Sequence, residues 1–164
     1  MSETYSPHSQ TDDDFCNKMI RERNESLADP RTQKIARLND EARIAPGLTC
    51  ELCVTAGIQS LPEDDRREIY NRVCGYNDFT WYNDARGQHG SGYFTYAGLQ
   101  IFWHIAYRAA ESAPGADSWS EHPEDPEKTR RVLTIMLARE HPSMTDEDAP
   151  IAARVVPSSP SAAK

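Results

Sequence analysis

Asp78, Asn83, Asp84 and His89 place two carboxylates, an amide and an imidazole in one short, glycine-containing stretch ahead of a predicted strand. Such a loop can converge its side chains on a divalent cation, and a cation with an open coordination position activates water for hydrolysis. On that reading Asp78, Asp84 and His89 are the candidate catalytic and metal-binding residues, a divalent metal is the cofactor, and Asn83 orients ligand or substrate. The same residue types also do plainer work. Asn and Asp side chains bond to nearby main chain to make turns, and histidine caps or bridges strands without reacting. No second histidine or cysteine pair stands at a recognised ligand spacing beside the loop, so the turn-forming reading is favoured and no metal or other cofactor is expected.

Cys50 and Cys53 form a CxxC, which suggests a redox pair or half of a zinc site. Here it falls in a predicted strand, where side chains three apart point to opposite faces, rather than at a helix start where a thiolate is stabilised. A zinc site needs two further ligands, for which Cys74 and His89 are the candidates; buried structural thiols are the expected role. No phosphate-binding glycine loop, nucleophile elbow or dinucleotide fingerprint is present.

Aromatic residues crowd the middle of the chain: Trp81, Tyr82, Tyr93, Tyr96, Phe102, Trp103 and Tyr107. Most are expected in the core, but on paired strands some can present a contact face. If Ile101, Trp103 and Ile105 face the helices, then Gln100, Phe102, His104 and Arg108 lie on the opposite face, with His104 expected at the surface. The acidic segment Glu111 to Lys128 carries Trp119, which can anchor a partner or fold back over the core. Asn83, Phe102, His104 and Trp119 are therefore the candidate ligand- or partner-binding residues.

The elements that must position these groups are read from composition and spacing. The chain has 164 residues and a net charge of -8, enough for one core and not for two. That charge disfavours a general nucleic-acid groove. Arg37, Arg43, Arg66, Arg67 and Arg72 alternate with acids on predicted helices, as on a solvated face with intrahelical ion pairs. No stretch is apolar and long enough to span a membrane, and the start lacks the basic and apolar regions of an export signal, so a reduced, cytoplasmic setting is expected.

Met1 to Thr11 and 142–164 have the composition of flexible tails. Asp12 to Leu27 has near-helical apolar spacing and forms, within 12–30, an N-terminal helical extension. Asp29 and Pro30 cap and open a second helix with an Ile35, Leu38, Ala42 stripe, ended by Pro46 and Gly47. Leu48 to Ile58 reads as a strand. Ser60 and Glu63 form a capping box before a helix over Pro62 to Cys74, closed near Gly75. Tyr93 to Tyr96 and Leu99 to Arg108 form a hairpin joined at Ala97 and Gly98. Arg131 to Ala138 allows strand or helix, and strand is chosen.

Leu61 to Val73, then "YNDFTWYND", "GQHGSGYF", "IFWHIAY" and "DPEKTRRVLTIMLARE", resemble the bacterial family called domain of unknown function 3768, over roughly residues 31–141. The resemblance implies a small alphaproteobacterial protein, often carried on plasmids or among mobile genes, with no activity established for the family. Where relatives show acidic residues around the histidine, Gln88 and Gly90 flank His89, so carboxylates adjacent in sequence are missing.

Together these features predict an α+β domain over 31–141: a small, mainly antiparallel sheet with two or three helices on one face. The expected role is a non-catalytic binding or regulatory module with another protein as partner. Two other readings are a metal-dependent hydrolase using the Asp78 to His89 loop and an acidic mimic of DNA. The second is weakened because many acids sit in tails and loops.

Overall fold

A computed structural model describes residues 8–111 and 118–142. The tails expected over 1–11 and 142–164 lie outside these residues, except for 142 and for 8–11, which begin the first helix. Helix α1 (His8–Ala28) starts a turn before the predicted Asp12. Helix α2 (Pro30–Ile44) opens as its sequence dictates: the Asp29 carboxylate accepts the Thr32 amide at 2.8 Å and Pro30 fills the first turn.

The buried stripe of α2 is Thr32, Ile35, Ala36, Asn39, Ala42 and Arg43, with Leu38 only half-buried. Arg43 was expected on a solvated face and is instead buried. Its guanidinium donates to the carbonyls of Val73 at 3.0 Å and Cys74 at 2.6 Å, and to Asp40 at 2.8 Å. The last carbonyls of a helix lack partners and carry its negative end, which a cation satisfies. Arg37–Glu41, Arg67–Asp64 and Arg72–Glu68 are exposed intrahelical pairs, as predicted.

The strand predicted over Leu48 to Ile58 is cut at both ends to β1 (Glu51–Val54). Before it, Gly47 takes φ +84 and the Thr49 hydroxyl caps the Glu41 and Ala45 carbonyls, holding the chain against the end of α2. After it, Glu140 accepts the Thr55 hydroxyl at 2.6 Å and the Gly57 amide at 2.8 Å, and the chain turns into a single helical turn, α3 (Ala56–Gln59). Helix α4 (Glu63–Cys74) closes at Gly75 as predicted, but the capping box does not form. Pro62 holds the cap position, and the Ser60 hydroxyl donates to Gly57. Glu63, Asp64 and Asp65 in its first turn suit the positive end of the helix.

Strands β2 (Ser91–Tyr96) and β3 (Leu99–Ala109) make the predicted hairpin. Ala97 and Gly98 take φ +47 and +78, the mirror-image turn whose twist matches its strands. β4 (Thr129–Leu137) is a strand and central, antiparallel to β3 and parallel to β1, giving the order β1-β4-β3-β2. A 3-10 turn, Ala138–Glu140, follows.

The sheet is thus mostly antiparallel with one parallel pair. Ala42 of α2, Ile58 of α3, and Ile69 and Val73 of α4 meet Ile101, Trp103, Ile105, Leu133 and Ile135 in one core. Each fully buried side chain of this kind contributes about 1.5–3 kcal/mol. The alternate residues of β3, including Phe102 and His104, project from the other face, where no described helix contributes to the core. α1 packs on α2 and supplies no residue to this core.

Candidate functional site

The loop 78–89 is held together by the polar residues that the sequence marks for chemistry. Asn83 Oδ1 accepts the Thr80 amide at 2.7 Å, and its Nδ2 donates to the Asp78 carbonyl at 2.6 Å and to the Tyr76 hydroxyl at 3.1 Å. Asp84, 8% exposed, accepts the amides of Gln88 at 3.0 Å and His89 at 3.2 Å. Its carbonyl takes Arg23 Nη1 at 3.1 Å. This is the turn-forming use of Asx side chains.

His89 adopts φ +55, an uncommon conformation for a residue with a side chain. Its ring stacks on Phe79, centroids 3.9 Å apart and planes 7° from parallel. Nδ1 lies 2.9 Å from Asp40 Oδ2, and Nε2 lies 3.9 Å from Asp84 Oδ2. The carboxylates absent beside His89 in sequence are supplied through space by α2 and the loop. Asp40 also pairs with Arg43, so one chain of polar contacts runs from the end of α4 through Arg43, Asp40 and His89 to Asp84.

Asp84 and His89 therefore meet, Asn83 ties the loop, and Asp78 is exposed and enters only through its carbonyl. Among the described residues no group of three or more His, Cys, Asp or Glu side chains is placed to hold a metal ion.

Sequence reasoning missed a second network beneath the loop. Asn39, fully buried, donates to the Gln88 carbonyl at 2.8 Å and the Tyr107 hydroxyl at 2.6 Å, and accepts Arg131 Nε at 2.8 Å. Burial pushes the Tyr107 phenol up and the Arg131 guanidinium down from their ordinary values. The available signal was a polar residue four after Ile35 and three before Ala42, inside the apolar stripe.

On the opposite sheet face, Phe102 lies near His104, centroids 5.9 Å apart, and meets the His141 ring edge-on at 5.0 Å. His104 was expected at the surface and is instead half-buried. Burial, with the nearby His141 and Arg108, lowers its pKa. Its Nδ1 is buried with no hydrogen-bond partner among the described residues. Trp119 neither plugs the core nor hangs free. It bridges to Arg108 at the end of β3, with that guanidinium 4.7 Å over its ring, and remains 67% exposed. The fold therefore brings Phe102, His104 and Trp119 to one face and leaves Asn83 in the loop.

All four cysteines are free. Cys50 precedes β1 instead of lying in it and donates to the Ala42 carbonyl at 3.3 Å. Cys50 and Cys74 are half-buried, and burial raises both thiols. No helix of the described residues is long and apolar enough to cross a membrane.

No curated protein and no solved structure matches the chain. The match expected over 31–141 is found from 54 to 140, so α2 with Asn39, Asp40 and Arg43 lies outside it. That match spans more than half of the chain, from the end of β1 through α4, the loop and the hairpin to Glu140, and the chain belongs to the family described as protein of unknown function (DUF3768).

Proposed function

We propose that the protein is a non-catalytic binding module that docks a partner protein on the sheet face opposite its helices. One observation carries this reading: Phe102, His104 and Trp119 share that face, and Trp119, 67% exposed with the Arg108 guanidinium stacked over its ring, offers a stiff aromatic anchor there. Antiparallel sheets often expose one face, and an aromatic and histidine cluster on it supplies the large, stiff contact area that interfaces favour. The loop 78–89 supports the same reading, because Asn83, Asp84 and His89 are engaged in holding it together. A cytoplasmic, bacterial and mobile-element setting, implied by the family resemblance, belongs to this proposal, with the net charge of -8 arguing against a nucleic-acid partner.

The test is co-purification of the full chain from its native host with Phe102→Lys and Trp119→Ala variants. Both should lose a partner that the unchanged chain holds, while Leu48→Lys, at a residue 89% exposed before β1, should keep it. A partner retained by all three, or no partner for the unchanged chain, contradicts the reading.

A further inference from the structure

We infer that the groove between α1 and Trp81 binds an amphiphilic monocarboxylate, its apolar tail along α1 and its carboxylate on Arg23. The groove has a volume of 310 Å³ and is walled by Phe15, Cys16, Met19, Ile20 and Trp81, with Arg23 and Asn24 at one end. That volume reaches the lower limit for small-molecule sites, about 300–1,000 Å³, and the mix of an apolar wall with few polar groups is what such sites show. From Phe15 to Asn24 the helix rises about 13 Å, room for an extended chain of medium length.

The apolar wall is unusually bare. Phe15, Ile20 and Trp81 are 62%, 59% and 45% exposed, although they lie side by side. Apolar side chains exposed together along one groove can receive an apolar tail.

The head group follows from Arg23. Its guanidinium donates to two neutral carbonyls, of Asp84 at 3.1 Å and Phe79 at 3.5 Å, and no carboxylate among the described residues pairs with it. The Asp84 carboxylate is engaged by the amides of Gln88 and His89. A half-buried cation beside apolar surface, with donors to spare and no carboxylate partner among the described residues, selects an anion, and a carboxylate matches its planar fork. The Arg23 end is also firmly seated. Ser26 donates to the Arg86 carbonyl at 2.8 Å, and Gly87, at φ +67, lets Leu27 pack where a Cβ would collide with it.

This site uses α1 and the loop, different elements from those of Phe102 and His104, so its failure leaves the sheet-face contact standing. The test titrates decanoate, 1-decanol and decyltrimethylammonium, all below micelle-forming concentrations, into the full chain, followed by calorimetry and tryptophan fluorescence. Decanoate should bind about tenfold or more tightly than the cation of equal tail length. Hexanoate should bind more than about tenfold weaker than decanoate. Phe15→Ser, at an exposed position, should weaken decanoate, and Arg23→Gln, which keeps amide donors for the two carbonyls, should bring decanoate to the level of decanol. Absence of saturable binding, equal affinity for anion and cation, or indifference to Phe15→Ser overturns the site. Should Arg23→Gln unfold, the head-group comparison on the unchanged chain still decides.

Discussion

His89 Nδ1 sits 2.9 Å from Asp40 Oδ2, joining the loop before β2 to the C-terminal part of α2. The contact fixes a ring that is also stacked on Phe79 and whose residue takes a left-handed backbone conformation. The fold holds such a conformation only where several contacts determine it together.

If loop 78–89 is built by its own carboxylate, Asp84→Ala should destabilise the protein by about 2–3 kcal/mol, since two amides lose a charged acceptor in a buried place. Urea unfolding at neutral pH measures this. An effect below about 0.5 kcal/mol, the usual size for a plain surface change, contradicts the role.

Asn39→Leu should cost about 3 kcal/mol or more, because it leaves the buried Arg131 Nε and the Gln88 carbonyl without their partner, while Arg131 keeps only its bond to the Pro123 carbonyl. Adding Arg131→Met should recover part of that loss. A double-mutant cycle with no coupling would show that the two side chains act independently.

Two glycines in the hairpin should respond differently to alanine. At Gly92 a Cβ would lie 2.7 Å from the Tyr76 ring and 2.8 Å from Trp103, both buried, so Gly92→Ala should cost several kcal/mol. At Gly98 there is open space and only the φ of +78 to oppose the change, so the cost should be about 1 kcal/mol. Thermal melts of both variants check the order.

Glu140 gives a pH dependence. Burial raises its pKa, but hydrogen bonds from Thr55 and from the Leu137 and Gly57 amides outweigh that and hold it below the ordinary glutamate value of 4.5. A depressed folded-state pKa contributes stability above the unfolded value, and that contribution is lost as pH falls through the folded value. The stability gap between the unchanged chain and Glu140→Gln should therefore be widest above about pH 4.5 and close on acidification. A gap that does not change with pH contradicts this, as read from urea midpoints between pH 3 and 7.

Much of the fold was legible because its signals are local. Asp29 and Pro30 announce α2, Ala97 and Gly98 set the hairpin, and the alternation through Ile101, Trp103 and Ile105 marks the buried face of β3. What escaped depends on residues far apart in sequence. Glu140 ends β1 and starts α3 from just beyond the end of the neighbouring β4, some 85 residues on in sequence, so the run after Leu48 kept its strand-like look. Arg43 reads as one more surface arginine until α4 brings its last carbonyls beside it. The loop residues were found by type, but their partners Asp40 and Asn39 lie on a helix whose periodicity speaks only of packing.

The most direct test of the sheet-face contact is photo-crosslinking in the native host, with a photoreactive phenylalanine at Phe102, at Trp119 and, as control, at exposed Gln33 on α2. A shared adduct at Phe102 and Trp119 that is absent at Gln33 is the predicted result. No adduct at the two sheet-face positions, or the same adduct at all three, would contradict it.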